Sequence, residues 1–165
     1  MGDSEMSTRF LGLGASRNEV ICVDVEIHDN SQPIVVLLDH TWKIQEGDRG
    51  AAYNVLYQQC ADYVRENQID RVIVKASAVT GQGAARLGML LSAEVRGVVI
   101  AAAASASAVS QLSKAVISRT YGDRNVDEYV SDDAFWAEYI EGKSLRKKSR
   151  EVAMLLIAGR VQETR

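Results

Sequence analysis

Four cations crowd a segment near the carboxyl end of the chain, where the sequence predicts the start of the last helix. Arg146, Lys147, Lys148 and Arg150 follow Ser144, a residue type that commonly caps helices. Each cation costs roughly a few tenths of a kcal/mol there, because the helix dipole already places positive charge at this end. Free N–H groups together with cations suit an anion, so the segment is a candidate phosphate-binding surface.

The same cations are also typical of a solvated helix face that binds nothing. In that interpretation they pair with carboxylates just upstream, which are Asp132, Asp133, Glu138 and Glu141. The charge distribution is uneven in either case. Residues 141–165 hold seven cations and three anions, so the remainder is net −7 in a chain of net charge −3. The sequence therefore predicts a basic end on an acidic body.

Composition indicates one globular domain. The 165 residues are 47% hydrophobic and 25% charged, with a single proline. We expect one domain over residues 9–162 and a disordered tail over residues 1–8. Cys22 and Cys60 are far apart and lack C-x-x-C spacing, so we expect reduced thiols in a cytoplasmic protein, without a zinc site. No run of 18 apolar residues occurs, so we expect no membrane segment, and no motif indicates a cofactor.

Apolar periodicity predicts a mixed α/β chain. Strands are expected at residues 9–13, 20–27 and 34–42, then a helix at 50–66 capped by Asp48, and a buried strand at 70–75. A helix at 82–96, a strand at 98–102 and a helix at 108–118 capped by Ser107 follow. One or two short helices at 126–140 precede the last helix, which ends near residue 162. This order predicts an antiparallel meander of three strands, two parallel strands, and helices on both faces.

The predicted helix at 82–96 is apolar most of the way round. A helix that covers a sheet needs only one apolar stripe, so the second face indicates a further partner. Gly88 and the neighbouring alanines would allow another helix to approach closely. Alternatively, residues 123–140 fold over that face, with Phe135, Trp136 and Tyr139 supplying the contact.

Six segments together resemble the RuvC family of Holliday junction resolvases. They are FLGLGASR at 10–17, RVIVK at 71–75, AARLG at 84–88, VRGVVIAAA at 95–103, KAV at 114–116 and EVAMLLIA at 151–158. The resemblance covers nearly the whole chain and implies a ribonuclease-H-like fold with a five-stranded mixed sheet. It also implies a homodimer paired through the helix at 82–96, where we place Ala85, Gly88 and Met89.

The resemblance also locates the family's catalytic positions. The family holds Mg²⁺ with about four carboxylates, and the bound metal activates water and stabilises the leaving oxygen of a phosphodiester. The matching residues here are Gly14, Lys75, Arg150 and Ala153, and none is acidic. A register slip of one residue would recover only Glu151. Since two positions carry cations, we expect the family's metal-dependent cleavage to be lost and no metal to bind.

Three functions remain open from the sequence. The leading hypothesis is a catalytically inactive, dimeric module that binds branched or duplex DNA. It would bind through Lys75 and Lys114, together with the cluster Arg146, Lys147, Lys148 and Arg150. The second is a protein-interaction scaffold that uses no nucleic acid. The third is a metal-dependent endonuclease with relocated acids, for which Asp24 and Glu94 are the candidates.

Overall fold

The computed structural model describes residues 7–77 and 86–162, which form one mixed sheet with helices on both faces. The elements in chain order are β1 (Thr8–Ala15), β2 (Glu19–Ile27), β3 (Ile34–Lys43), α1 (Arg49–Glu66), β4 (Arg71–Lys75), α2 (Leu87–Ala104), β5 (Ala108–Leu112), α3 (Lys114–Tyr121), α4 (Val126–Val130), α5 (Asp133–Tyr139), β6 (Ile140–Gly142) and α6 (Arg150–Gln162). A short 3₁₀ helix, Lys147–Ser149, leads directly into α6.

Over the described residues the sheet has six strands, in the order β5-β4-β1-β2-β3-β6. The antiparallel meander β1-β2-β3 and the parallel addition of β4 agree with the sequence-based prediction. The sequence also predicts a second parallel strand, but β5 forms it from residues other than those predicted. The predicted count of five strands is wrong, because β6 pairs with β3 through Ile34–Val36. Only three residues long, β6 carries too little alternation to be recognised in a sequence.

The region from 98 to 112 departs most from the sequence-based prediction. Residues 98–102, predicted as a strand, form the second half of α2, and residues 108–112, predicted as helix, form β5. The valines and the run of alanines in this segment suit a helix as well as a strand, and a short apolar run does not separate the two. Tertiary packing decides the outcome, since Val95, Val99 and Ala102 face the sheet at helical spacing.

Two helix caps show that local sequence predicts one helix start correctly and another incorrectly. Asp48 caps α1 as predicted, accepting from the backbone N–H groups of Gly50 and Ala51. Ser107 does not cap a helix. Its hydroxyl donates to the carbonyl of Ile69, while Ser113 accepts from the N–H of Val116 and caps α3. Any serine before a helical pattern satisfies the cap preference, so the choice of serine depends on where β5 ends.

Each face of the sheet carries its own core. On one face α1 and α2 pack over Leu11, Leu13, Cys22 and Val74. On the other face α6 packs with α3, α4 and α5 over Phe10, Val25 and Ile73. From Val152 to Ala158 every residue of α6 is at most 3% exposed, which makes α6 the central helix of its layer.

Two further findings concern the predicted tail over residues 1–8 and the expectation of no membrane segment. Thr8, assigned to a disordered tail of residues 1–8, begins β1 and pairs with Ile27. By length and composition α2 could cross a membrane, with a mean hydropathy of 1.7. Glu94 and Arg96 interrupt its apolar run, and length and composition alone do not establish a membrane span. Only 22% of α2 is buried, so its outer side is open.

Candidate nucleic-acid interface

Gly14 and Lys75 lie side by side at the carboxyl edge of the sheet. The parallel pairing of β1 with β4 ends at Leu13 and Val74, and the two residues follow directly. Ala153 also lies at this end of the fold, within the first turn of α6, where it is fully buried. The structure thus makes neighbours of Gly14 and Lys75, two of the four positions that the family resemblance located.

Gly14 has a packing partner in α6. A Cβ atom at Gly14 would lie 2.7 Å from Cγ2 of Val152, closer than side-chain carbons approach in proteins. Gly12 meets the same valine, at 2.8 Å from Cγ1. The start of α6 therefore sits directly on β1, in the space that a side chain at Gly14 would fill.

A single carboxylate of α6 reaches this edge of the sheet. Glu151 lies 2.5 Å from Nζ of Lys75 and 3.6 Å from Nζ of Lys114. Lys114 also donates to Asp127 at 3.0 Å, and this hydrogen bond, with help from Glu151, raises the pKa of Lys114. The lysines that the sequence nominated at two separate places are joined through one glutamate.

A pocket of about 260 Å³ opens beside these lysines. Its walls come from the end of β4 and from α2 and α3, and its polar lining consists of Lys75, Ser77, Ser92, Arg96 and Lys114. Arg96 donates to the hydroxyl of Ser77. Sequence reasoning did not nominate Ser92 or Arg96, although their spacing of four residues places them on one face of a helix. Their meeting with Lys75 depends on the fold.

Arg146 is held away from this pocket by β3. Its guanidinium forms two hydrogen bonds to Asp39, at 2.8 and 3.1 Å, and one to Thr41 at 2.9 Å. Burial alone would raise the pKa of Asp39, but the bonds from Arg146 and Ser149 hold that pKa below its usual value. Ser144 does not cap α6, since the 3₁₀ turn lies between them.

Arg150 turns toward α5. It donates to Asp133 at 2.7 Å and to the carbonyl of Val130 at 3.0 Å, and its guanidinium lies 6.0 Å from the centre of the Trp136 ring. The predicted single patch of Lys75, Arg150 and the cluster at 146–148 is therefore divided. Arg150 therefore matches the alternative interpretation of this segment, in which its cations pair with upstream carboxylates.

The remaining cations of that cluster stay near solvent. Lys147 is exposed, and Lys148 lies 3.7 Å from Glu19 with its side chain 49% exposed. Exposed charges of this kind attract a polyanion without a fixed geometry, but salt screens that attraction beyond about 10 Å. The pocket, in contrast, holds its cations in defined positions.

The proposed replacement acids do not meet. Asp24 is fully buried beneath α1, where it accepts from Arg9 at 2.7 and 3.0 Å and from Tyr63 at 2.5 Å. Burial is the larger cause that raises the pKa of Tyr63, and the hydrogen bond to Asp24 raises it further. Glu94 accepts from Tyr53 at 3.0 Å on the outer side of α1.

A magnesium centre of the family type does not fit the residues present. Over residues 7–77 and 86–162 no three His, Cys, Asp or Glu side chains cluster closely enough to hold a metal ion. Within those ranges Glu151 is the one carboxylate that meets Lys75, and it faces two ammonium groups. A dication needs several anionic oxygens, and neighbouring ammonium groups repel it.

The outer face of α2 is apolar and open. Leu87, Met89 and Leu90 are 65%, 50% and 52% exposed. Gly88, predicted at a dimer interface with Met89, has open space around it except for Arg17, whereas Ala85 lies outside the described residues. The alternative in which residues 123–140 cover this face is wrong, because those aromatic residues pack with α6 on the opposite face of the sheet.

Comparison with known structures identifies the fold. Thermus thermophilus RuvC matches with a TM-score of 0.71 at 11% identity, covering 94% of this chain and 97% of RuvC. T. thermophilus RuvC in complex with Holliday junction substrate matches with a TM-score of 0.72 at 9% identity, covering 95% and 96%. The yeast mitochondrial Holliday junction resolvase Ydc2 gives 0.59 at 11% identity, covering 92% and 75%.

The chain therefore has the ribonuclease-H-like fold in the form seen in RuvC, over nearly its whole length. No protein-family model and no curated protein matches the sequence. Identities of 9–11% establish a shared fold, while activity depends on the residues of the site.

Proposed function

We propose that this protein is a RuvC-like module that binds nucleic acid as a homodimer in the cytoplasm, without the metal-dependent cleavage of the nucleases whose fold it shares. The observation that carries the proposal is the pocket at the carboxyl edge of the sheet. Lys75, Arg96 and Lys114 converge there, and the nearby Glu151 pairs with two of them. Lysine and arginine are the residues with which proteins hold phosphates.

The position of this pocket supports the proposal as well. In open α/β sheets, ligands bind outside the carboxyl ends of the strands, and the pocket lies at the ends of β1, β4 and β5. A structural neighbour is described with Holliday junction DNA bound. Branched or duplex DNA is therefore the first ligand to test.

The loss of cleavage follows from the chemistry of the side chains. Metal-assisted hydrolysis needs carboxylates that hold the ion and leave it positions open for water and phosphate. Lys75 and Gly14 supply no such oxygen, and Glu151 is engaged by lysines. The same lysines retain the capacity to hold a phosphate.

The dimer is argued from the outer face of α2. Three large apolar side chains near its start are at least half exposed, and Gly97, further along, has open space around it. A second copy of α2 would bury these side chains at a gain of about 25 cal/mol per Å² of apolar surface. Two pockets in one dimer would also allow two strands to be held at once.

Electrophoretic mobility shift tests the proposal. Four-way junction, duplex and single-stranded DNA are titrated at several salt concentrations without divalent metal. We expect binding at low salt, and the logarithm of the association constant should fall linearly with the logarithm of salt, since binding to phosphates releases counterions. Absence of binding to every DNA at low salt would contradict the proposal, and a stable protein partner recovered free of nucleic acid would favour the scaffold function.

A matched pair of variants places the binding in the pocket. Replacing both Arg96 and Lys114 by glutamine should weaken binding and reduce the salt slope by about two, one for each cation that no longer neutralises a phosphate. Lys143→Gln removes the same charge type next to β6, at the opposite edge of the sheet, and should change little. Equal weakening in both variants would indicate that only overall charge matters.

A further inference from the structure

The pocket at the carboxyl edge of the sheet has more positive than negative charge. Three cations line it, and no carboxylate of residues 7–77 or 86–162 is part of the lining. Glu151 pairs with Lys75 and Lys114 but is not part of the lining. Asp127, the second partner of Lys114, is 78% exposed and lies toward solvent. The positive excess persists when both of these carboxylates are counted.

Arg96 contributes most directly to this excess. Within the described part of the chain its hydrogen-bond partner is the Ser77 hydroxyl, and no carboxylate pairs with it. A guanidinium offers several donors in a rigid fork, which suits two oxygens of one phosphate. Ser92, four residues earlier on α2, adds a hydroxyl to the same wall.

The shape of the pocket restricts what enters it. A volume of about 260 Å³ between α2, α3 and the strand ends accommodates a phosphate group with an adjoining sugar.

We propose that this pocket receives the terminal phosphate of a nucleic-acid strand, a phosphomonoester, in preference to the phosphodiesters within a strand. The inference rests on the nucleic-acid binding proposed above and adds which phosphate is held. A phosphomonoester carries about −1.5 to −2 charges at neutral pH and three terminal oxygens. A phosphodiester carries one charge and two such oxygens. Lys75, Lys114 and Arg96 together match the first group better, because attraction grows with the charge of the anion.

Fluorescence anisotropy with short oligonucleotides tests the inference. One set carries a 5′-phosphate and a matched set a 5′-hydroxyl, each single-stranded and as duplex, labelled at the other end. We expect the phosphorylated form to bind about tenfold more tightly, the size of a charge-assisted hydrogen bond. The preference should largely disappear in Arg96→Gln and in Lys114→Gln. It should persist in Lys143→Gln.

The outcomes separate this inference from the function on which it rests. Equal affinity for phosphate and hydroxyl ends, with junction or duplex still bound, would overturn the terminal-phosphate assignment and leave nucleic-acid binding standing. Inorganic phosphate and ribose 5-phosphate are added as competitors, because a small phosphate compound would present the same chemistry to the pocket. If these compounds bind in the pocket while neither oligonucleotide does, the nucleic-acid assignment is overturned in both proposals.

Discussion

Gly14 occupies a position with no room for a side chain. The residue faces Val152, whose Cγ2 would lie 2.7 Å from a new Cβ. The close packing of α6 on β1 thus requires a glycine there. Lys75 and Glu151 form an ion pair, so replacing either residue removes this contact from the other.

Gly14→Asp should destabilise the protein by about 1–3 kcal/mol, the usual cost of overpacking a tight contact. Denaturant unfolding measures the change. Combined with Val152→Ala, the destabilisation should be smaller than the sum of the two single effects, because the alanine removes the atom that the new side chain meets.

Val152→Ala alone serves as the control, since it reports the cost of the cavity that it leaves. Additive effects in the double variant would show that the aspartate is disfavoured for a reason other than Val152.

The segment before α6 is an element fixed by one ion pair. Arg146 and Ser149 both bond to Asp39, whose side chain is 2% exposed. These bonds join the 3₁₀ turn to β3 across more than a hundred residues of sequence. The start of α6, and with it Glu151, is positioned through this anchor.

Arg146→Gln should lower the free energy of unfolding by about 2 kcal/mol near neutral pH. This is less than for a fully buried pair, because the Arg146 side chain is 39% exposed. The folded pKa of Asp39 lies below its usual value, so its contribution is present above about pH 4. The difference between wild type and variant should therefore shrink as the pH falls through the folded pKa of Asp39. Urea unfolding at several pH values measures it.

Lys148→Gln is the matched control, since Lys148 is half exposed and 3.7 Å from its partner Glu19. It should change stability little at any pH. A pH-independent destabilisation in Arg146→Gln would contradict the role assigned to Asp39.

The two faces of α2 have different tasks. Val95, Val99 and Ala102 bury against the sheet, while Met89 and Leu90 are half exposed on the outer side. Packing against the sheet explains the buried apolar residues of α2 but not the exposed ones. A second copy of the helix is the occupant we propose for this outer side.

Met89→Arg should weaken the dimer at least about tenfold, because a buried charge without a partner opposes association. Analytical ultracentrifugation over a range of protein concentrations measures the change. The chain should stay folded, since Met89 is 50% exposed in the isolated subunit.

Gln58→Arg, on the exposed side of α1, introduces the same charge elsewhere and should leave association unchanged. A wild-type protein that is monomeric at all concentrations would contradict the dimer.

At the scale of the whole molecule, a shared fold accompanies almost complete change of sequence. TM-scores of 0.71 and 0.72 occur at identities of 11% and 9%. Burial pattern and strand order are enough to keep this architecture at such low identity. The shared fold leaves function to be argued from the residues of the site.

Mg²⁺ or Mn²⁺ at millimolar concentration should raise the melting temperature by less than about 1 °C, because a ligand stabilises a protein only by binding its folded state. Differential scanning fluorimetry with and without chelator measures it. Neither ion should produce cleavage of junction or duplex DNA. Metal-dependent cleavage abolished by Asp24→Ala would instead support the relocated active site.

Sequence patterns alone predicted the meander of β1 to β3, helix α1 with its Asp48 cap, and the parallel strand β4. These elements are long or strongly periodic, and their signals are local. The resemblance in six short segments predicted the ribonuclease-H-like form of the fold. The resemblance also selected Gly14, Lys75, Arg150 and Ala153, and the sequence shows directly that none of these four residues is acidic.

Tertiary structure alone decided the helical state of residues 98–102, the sixth strand, and the composition of the pocket. Which cations act together depends on contacts between residues far apart in the chain. Arg146 bonds to Asp39 and Arg150 to Asp133, while Arg96 joins Lys75 and Lys114. A sequence records charge at each position, but pairing is a matter of distance in space, because electrostatic and hydrogen-bond energies fall steeply with separation.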